Sequence, residues 1–310
     1  MINDAHCHFF SARFFAALAQ DPAAPAVDDP PIDLPARLGW EAPGSPERLA
    51  DRWIAELDRH DVARAAVMAS VPGDESSVAA AVTRHPARLV GSFMLDPTAV
   101  DAPARAARAF SVLGLRCACL FPAMHGFTLD DDRVAAVFDQ AAAYAASVFV
   151  HCGVLSVGVR KKLGLPSRFD IRRGDPLALV PVAAAHPSVV TIIPHFGAGF
   201  LRETLMAADL CPNIHIDTSS SNAWMRYLAP ITLADAFRQT LDVVGAGRML
   251  FGSDSSFFPR GWQQPLHAAQ LETLTALGVA DDAQRAIFAD NFDRVFGTGG
   301  APAIDAPSSS

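Results

Sequence analysis

Short apolar segments rich in β-branched residues alternate along the chain with longer amphipathic segments rich in alanine. The apolar segments predict parallel strands, because a strand covered on both faces reads as a continuous apolar run. We place strands near 2–9, 62–69, 88–95, 114–121, 147–152, 188–195, 213–218 and 247–253. The amphipathic segments predict helices near 46–60, 74–85, 100–112, 130–146, 175–186, 198–210, 230–245 and 262–277.

This alternation repeats about eight times, which favours a closed (β/α)8 barrel, or TIM barrel, over an open sheet. A doubly wound sheet is the alternative fold, but no Gly-x-Gly-x-x-Gly phosphate loop follows a predicted strand to support it. We expect one domain over residues 1–298. The tail 299–310 ends in Ala-Pro-Ser-Ser-Ser, and its composition predicts disorder.

Two connections are longer than a barrel requires. Residues 10–45 leave the carboxyl end of the first strand and contain several aromatic side chains, so we expect a packed lid rather than a loose surface loop. Residues 155–174 follow the fifth strand, and their basic side chains predict either an anion-attracting rim or an ordinary solvated face. These side chains are Arg160, Lys161, Lys162, Arg168, Arg172 and Arg173.

Composition narrows the class of protein. A hydrophobic content of 51% and a charged content of 19% provide for a buried core and argue against disorder. The net charge of −8 disfavours nucleic-acid binding, and no apolar run is long enough to span a membrane. Five cysteines without a CxxC spacing indicate reduced thiols, and metal-capable residues from His6 onward leave no place for a secretory leader, so we expect a cytoplasmic protein.

Metal-capable residues occupy the ends of several predicted strands. His6 and His8 are two positions apart in the first strand, so their side chains point to the same side. His151, His195 and Asp254 each end another apolar run. Because barrel enzymes collect their functional groups at the carboxyl ends of strands, the pattern predicts a mononuclear site for a divalent ion such as zinc.

Other candidate side chains are weaker. His125 follows the fourth strand, and Arg260 and Trp262 follow the eighth, where an aromatic wall and a guanidinium suit a flat acid. A packed loop explains the same residues equally simply. The remaining histidines lie at helix ends or in the core, where a structural role is expected: His60, His85, His186, His215 and His267.

In order and spacing these residues resemble the amidohydrolase superfamily. More narrowly, they resemble its amidohydrolase-2 branch, which includes aminocarboxymuconate-semialdehyde decarboxylase and related aromatic-acid decarboxylases. The motifs that carry the resemblance span nearly the whole chain. They are Asp-Ala-His-Cys-His at 4–8, the His151 strand, Pro-His-Phe-Gly-Ala-Gly at 194–199, Asn-Ile-His-Ile-Asp-Thr-Ser at 213–219, Phe-Gly-Ser-Asp at 251–254 and Asn-Phe-Asp-Arg-Val-Phe-Gly at 291–297.

The resemblance implies a ligand set for one metal, with zinc expected first and manganese or another divalent ion as the alternative. The implied ligands are His6, His8, His151 and Asp254. His195 would stand beside the metal-activated water, although the residues alone leave open that it is a fifth ligand. Binuclear members bridge two metals with a carboxylated lysine on the fourth strand, but 113–121 contains no Lys, Asp or Glu, which favours a single metal.

The implied chemistry begins with a metal that lowers the pKa of water to about 7. Asp254 would accept the proton of that water and later deliver it to the leaving group, while His195 would orient the water or stabilise an oxyanion. We therefore expect a hydrolase for a small substrate, carboxylate-bearing or cyclic, with a lactone, amide or ester bond. Non-oxidative decarboxylation of an aromatic or unsaturated acid is the alternative, and a catalytically silent metal-bound binding protein is a remote third. The sequence leaves open whether the protein forms a homodimer.

Overall fold

Eight parallel strands pair in chain order in the computed structural model, which describes residues 1–220 and 223–297. The strands are β1 (Ile2–Phe9), β2 (Val62–Ala69), β3 (Leu89–Leu95), β4 (Cys117–Leu120), β5 (Ser147–Val150), β6 (Thr191–Ile193), β7 (Ile214–Asp217) and β8 (Met249–Leu250). The segment after β8 returns to β1, where Asp254 N donates to His6 O over 2.8 Å and His8 N donates to Ser255 O over 2.7 Å. These bonds join the first and last strands, and the predicted TIM barrel is confirmed.

Helices cover the outside of the barrel and form its two insertions. They are α1 (Ala12–Leu18), α2 (Pro30–Leu38), α3 (Pro46–Arg59), α4 (Glu75–Arg84), α5 (Ala102–Ser111), α6 (Pro122–His125), α7 (Asp132–Ala143), α8 (Gly158–Lys162), α9 (Val180–Ala185), α10 (Leu201–Leu210), α11 (Leu233–Val244), α12 (Gln264–Ala276), α13 (Asp281–Arg285) and α14 (Asn291–Phe296). A π-helical segment, Ala286–Asp290, joins the last two. The eight helices expected between strands are present with shorter bounds, whereas α1, α2, α6, α8, α13 and α14 were not predicted.

Local capping explains where the predicted helices begin. The Ser45 hydroxyl accepts a hydrogen bond from Arg48 N, and Pro46 occupies the first turn of α3, where a missing N–H costs nothing. Asp131 caps α7 in the same way by accepting from Arg133 N over 2.9 Å. The apolar stripe of α3 then faces the strands, so the sequence pattern and the cap specify the same helix.

The inside of the barrel is filled by side chains, so it is a packed core and not a pore. Met68, Cys117 and Phe149 lie in its middle, and Phe292 and Phe296 of α14 complete this cluster. The histidines of β1 lie at the carboxyl ends of the strands. The packed interior therefore leaves this mouth as the place where polar side chains meet a cavity.

The lid after β1 is packed, as predicted. Phe10 stacks on Phe14 with ring centroids 3.9 Å apart, and Trp40 stacks on Phe257 at 3.8 Å. Asp21 of the lid pairs with Arg160 of the second insertion over 2.6 Å. Apolar residues of both insertions share one buried cluster, so the lid and the second insertion together form a wall above the barrel mouth.

All five cysteines are buried free thiols, which agrees with the predicted reduced state. Within the described residues, no helix is long and apolar enough to cross a bilayer. The predicted tail, 299–310, lies outside the described residues.

Candidate metal centre

Three predicted ligands converge at the mouth of the barrel. His8 Nε2 lies 3.0 Å from Asp254 Oδ1, and His6 Nε2 lies 3.8 Å from the same oxygen. One ligand atom from each of these three residues lies within 4.8 Å of the others. The β1 strand and the segment after β8 therefore bring together side chains from opposite ends of the chain.

Hydrogen bonds fix which ring nitrogen of each β1 histidine faces Asp254. Nδ1 of His6 lies 2.7 Å from Asp217 Oδ2. Nδ1 of His8 lies 2.8 Å from the Ser70 hydroxyl, which donates its own hydrogen to Met68 O over 3.0 Å. Both Nδ1 atoms therefore carry a proton, and each Nε2 points to the shared centre, as in metal sites whose outer partners orient the ligands.

His151 and His195 stand beside this group. The ring centroid of His151 lies 5.2 Å from that of His195, which in turn lies 5.0 Å from that of His6. Buried Nδ1 of His151 has no hydrogen-bond partner among the described residues. The three-residue group within 4.8 Å does not include His151, so its role as a fourth ligand stays a prediction.

Burial and charge set the protonation of the site. Burial disfavours the charged ring of His6, but the Asp217 carboxylate outweighs burial and raises the pKa of His6 to about 9. Burial also opposes ionisation of Asp254, yet the hydrogen bond and charge of His8 hold the pKa of that carboxyl well below its usual range. Burial and the neighbouring ring of His195 lower the pKa of His151 well below its ordinary value. Asp254 is thus an ionised carboxylate and His151 a neutral imidazole, both competent as ligands.

Two residues of the site have strained backbones. His195 has φ 58° and Asp254 has φ 56°, in the left-handed region that residues other than glycine rarely adopt. Phe196 and Ala198 share this conformation after β6. Such strain persists where surrounding contacts over-determine it, and it concentrates at functional sites. Here it aims His195 and Asp254 toward the β1 histidines.

Gly153 provides one of these surrounding contacts. Its φ is +76°, and an added Cβ would press on the Gly197 carbonyl and lie 2.6 Å from Ala198 O. The glycine thus lets the segment after β5 lie against the turn that follows β6. Val154 N donates to Ala198 O over 2.9 Å at the same place.

We expect Gly153→Ala to lower the free energy of unfolding by about 2–4 kcal/mol, because it combines a left-handed alanine with overpacking against backbone. Gly158→Ala is the matched control, since a Cβ there meets nothing within 4 Å and φ is not positive. Denaturant unfolding of both variants measures the difference. Equal stability of the two would contradict the proposed contact.

The donor set fits a divalent ion. Two imidazole nitrogens and one carboxylate oxygen suit zinc or a similar borderline metal. The buried Nδ1 of His151 has no hydrogen-bond partner among the described residues and could serve as a further metal ligand. A buried polar nitrogen without a partner is costly unless something binds it. The residues present therefore fit the predicted metal.

A cavity of about 680 Å³ opens above the site. Aromatic rings of the lid and of the loop after β8 form part of its wall, including Phe10, Trp40 and Phe257. Its cationic lining residues are Lys161, Lys162, Arg226 and Arg260, and Asp254 is the single carboxylate among the described residues that line it. The cavity therefore presents positive charge and flat apolar walls to a ligand.

The predicted substrate contacts divide into two groups. Arg260 lines the cavity, lies over the Phe257 ring at 4.5 Å and donates to Asp254 O over 3.2 Å. His125 and Trp262 are not among the described residues that line the cavity. The indole N–H of buried Trp262 instead donates to Asp4 Oδ2 over 2.7 Å.

Asp4, which the sequence did not single out, ties the site together. Its Oδ1 accepts from His6 N over 2.9 Å and from Ser253 N over 3.0 Å. One buried carboxylate therefore holds the backbone of His6, a proposed ligand, and of Ser253, which precedes the proposed ligand Asp254. Asp217, the last residue of β7, and Ser219, which follows the strand, were also missed as site residues, although their spacing of two could have indicated a shared direction.

A barrel that gathers histidines and an aspartate at its carboxyl mouth defines a class of metal-capable TIM barrels. Within that class, the chain belongs to the amidohydrolase-2 family: the amidohydrolase family model matches residues 3–298. The resemblance inferred from the motifs is thereby confirmed. No curated protein matches the sequence.

Solved structures with the same fold include both hydrolases and decarboxylases. The 5-carboxyvanillate decarboxylase of Sphingomonas paucimobilis is 14% identical, with a TM-score of 0.62 over 96% of this chain and 98% of its own. A probable 2-pyrone-4,6-dicarboxylic acid hydrolase of Acinetobacter baumannii is 14% identical, with a TM-score of 0.60 over 96% and 99%. The 5-carboxyvanillate decarboxylase of Novosphingobium aromaticivorans, solved with bound manganese, is 15% identical, with a TM-score of 0.62 over 96% and 97%. At these identities the likeness establishes the fold.

Proposed function

We propose that the protein is a mononuclear metal-dependent hydrolase of small anionic molecules that carry a lactone, ester or amide bond. The observation that carries this proposal is the convergence of His6, His8 and Asp254 within 4.8 Å at the barrel mouth. The five buried free thiols support a reducing compartment, and we propose the cytoplasm.

Zinc is the proposed metal, with manganese as the alternative. Nitrogen and carboxylate donors favour zinc, while the manganese of the Novosphingobium decarboxylase supports the alternative. His6, His8, Asp254 and His151 would hold the ion. When bound, a divalent ion acts as a Lewis acid and lowers the pKa of water.

The protein's own residues supply the remaining chemistry. The ionised Asp254 carboxylate accepts a proton from water and returns it to the leaving group. His195 lines the cavity beside His6, where it can donate a hydrogen bond to an oxygen that gains negative charge. The aromatic side chains of the lid form part of the cavity wall, and apolar walls of this kind strengthen electrostatic interactions beside them.

The charge of the cavity indicates the substrate class. Lys161 and Lys162 are exposed at the rim, and Arg226 and Arg260 complete a set of four cations opposite one carboxylate. A carboxylate-bearing substrate would be attracted to this rim, and a flat ring would fit beside the aromatic side chains that line the cavity. We propose such a small molecule as the partner, with neither nucleic acid nor membrane involved.

Decarboxylation of an aromatic or unsaturated acid is the second candidate reaction. The cationic rim favours it, because the substrate of a decarboxylase carries the carboxylate that is lost. Two of the similar structures are decarboxylases, which supports the same choice. The site could serve either reaction, since both need a polarising metal and a proton donor near the reacting carbon or oxygen.

Turnover assays separate the candidates. The metal-loaded protein is offered a panel of lactones and esters and a panel of aromatic acids, with carbon dioxide detected alongside acid release. Acid released from a lactone or ester supports the hydrolase. Carbon dioxide from an aromatic acid overturns it in favour of the decarboxylase, and silence across both panels favours a binding protein.

We expect Lys161→Gln to lower kcat/KM for a carboxylate substrate about 3- to 10-fold and to leave kcat unchanged, because a rim charge attracts the substrate without touching the reacting atoms. Raising the ionic strength should reduce the difference from the unmodified protein. Arg172→Gln is the matched control, since Arg172 belongs to the same insertion but pairs with Asp170 over 2.8 Å. Equal kcat/KM for Lys161→Gln and the unmodified protein would contradict the role of the rim.

A further inference from the structure

One hydroxyl lies between two histidines of the site. The Ser219 Oγ atom lies 3.0 Å from His6 Nδ1 and 2.8 Å from His195 Nδ1. Ser219 is fully buried, and its backbone N–H donates to Asp217 Oδ1 over 2.6 Å. The serine is therefore held in place from its own backbone while its side chain faces both rings.

The proton on His6 decides the direction of these bonds. Nδ1 of His6 faces the Asp217 carboxylate at 2.7 Å, and an ionised carboxylate can only accept. Nδ1 of His6 must therefore carry a hydrogen, whether the ring is neutral or charged. The same hydrogen lies within reach of Ser219 Oγ, which receives it as an acceptor.

The single hydrogen of the Ser219 hydroxyl then has one acceptor left. Nδ1 of His195 is the remaining partner of this oxygen among the described residues. If Nδ1 of His195 carried a hydrogen instead, it would compete with that of His6 for the same oxygen, and the serine hydrogen would have no acceptor there. The arrangement that satisfies all three groups makes His195 Nδ1 an acceptor.

We propose that Ser219 is a positioning residue that fixes His195 in the tautomer with its proton on Nε2. A neutral imidazole that accepts at Nδ1 must donate at Nε2. His195 lines the cavity, and no hydrogen bond joins its Nε2 to another side chain of the described residues. This N–H is the group that His195 can present to a substrate in the cavity.

This assignment decides between two roles for His195, a hydrogen-bond donor to the substrate and a fifth metal ligand. A nitrogen that carries a proton has no lone pair for a metal, so His195 is a hydrogen-bond donor to the substrate and not a fifth ligand. The donor role in turnover rests on the proposed function, whereas the tautomer itself belongs to the protein without metal or substrate. An experiment can therefore contradict the tautomer without contradicting the proposed function, and the reverse also holds.

Space around the serine is tight enough to keep this geometry. A Cβ added at Gly252 would lie 2.8 Å from the His6 Cβ and 2.9 Å from the Ser219 Cβ. The glycine after β8 thus allows Ser219 to approach His6. A flip of either ring would break its Nδ1 contact with Ser219, and a flip of His6 would also break its contact with Asp217.

Nitrogen NMR of isotopically labelled histidine side chains tests the tautomer in the metal-free protein. The His195 signals are assigned by their absence from His195→Asn. We expect Nδ1 of His195 to resonate as an unprotonated nitrogen and Nε2 as a protonated one. A protonated Nδ1 with an unprotonated Nε2 would overturn the proposal, whatever the activity assays show. Because this measurement uses the unmodified chain, it holds even if a serine variant does not fold.

The Ser219→Ala variant tests the positioning role. We expect its His195 signals to shift toward a mixture of tautomers and its kcat to fall about 10- to 100-fold, with metal content retained. Thr218→Val is the matched control: Thr218 is equally buried, but its hydroxyl donates to Gln270 Oε1 over 2.7 Å and not to a histidine. We expect the control to keep the His195 signals and kcat. Unchanged His195 signals in Ser219→Ala would overturn the proposal.

Discussion

Asp254→Ala is expected to lose the metal and at least about a thousandfold of activity together, because one carboxylate serves both as ligand and as proton acceptor. His6, His8 and His151 would keep their imidazoles at the site, but a divalent ion held by neutral ligands alone lacks the charge that Asp254 supplies. His6→Ala should act in the same way by removing a nitrogen donor. Metal analysis of the purified variants and turnover on the substrate identified by the panels measure both effects.

The strained backbone at Asp254 calls for a second variant. Alanine at φ 56° adds strain, whereas asparagine tolerates the left-handed region. Asp254→Asn should therefore fold as the parent does and still lose metal and activity. Asp139→Ala is the surface control, since that exposed carboxylate pairs with His186 away from the cavity lining. Full metal content in Asp254→Asn would contradict the assigned ligand role.

The carboxyl ends of the strands could be read from the sequence because each apolar run stops at a polar residue. Val148 and Phe149 of β5 lead to His151, and Met249 and Leu250 of β8 lead through Phe251 to Asp254. Parallel strands share one direction, so their ends must meet at one mouth. The gathering of polar residues at one edge follows from that constraint, whereas the contact of β1 with the segment after β8 follows from the eightfold repeat that predicts a closed barrel.

The sequence of the lid contains no pattern that predicts its two helices. Helix α2 contains Pro35 in its interior as well as two prolines at its start, and α1 spans only seven residues. Both helices join a buried aromatic cluster with Trp40 and with Phe257 of the loop after β8, and Phe257 is distant from them in sequence. Local propensity was overridden by packing, as is common for short helices.

The outer partners of the ligands were beyond sequence reasoning for a related reason. Asp217 meets His6 across 211 positions of sequence, and Ser219 meets it across 213. The spacing of two could have indicated that Asp217 and Ser219 share a direction, but nothing local marks either of them as a partner of a β1 histidine. Only the closed barrel, which places β7 beside β8 and β8 beside β1, makes that contact visible.

The sequence ranked His151 equally with the other ligands, whereas the structure groups His6, His8 and Asp254 more tightly. His151 can lie outside this group in the metal-free protein and still bind the metal, because its buried Nδ1 has no hydrogen-bond partner among the described residues. A bound cation would satisfy that buried nitrogen, since the surrounding rings of Phe121 and His195 offer it no hydrogen bond at present. The fourth ligand is thus a prediction that metal analysis of His151→Ala can test.

His195→Ala is expected to retain most of the metal and to lose about 100- to 10,000-fold in kcat, the range typical of a lost proton donor or oxyanion contact. Its Nδ1 is engaged by Ser219, while the three-residue ligand group forms without it. His195→Asn accompanies it because asparagine tolerates φ 58° better than alanine.

Parallel metal analysis and kinetics of both His195 variants decide between a donor and a fifth ligand. His186→Asn is the control for loss of an imidazole, since that ring pairs with Asp139 outside the cavity lining. Loss of the metal from both His195 variants would contradict the division of roles, because a residue that only donates to substrate cannot hold the ion. Retained metal with abolished turnover would place the chemistry of the site on His195 and Asp254, with β1 serving to hold the cation.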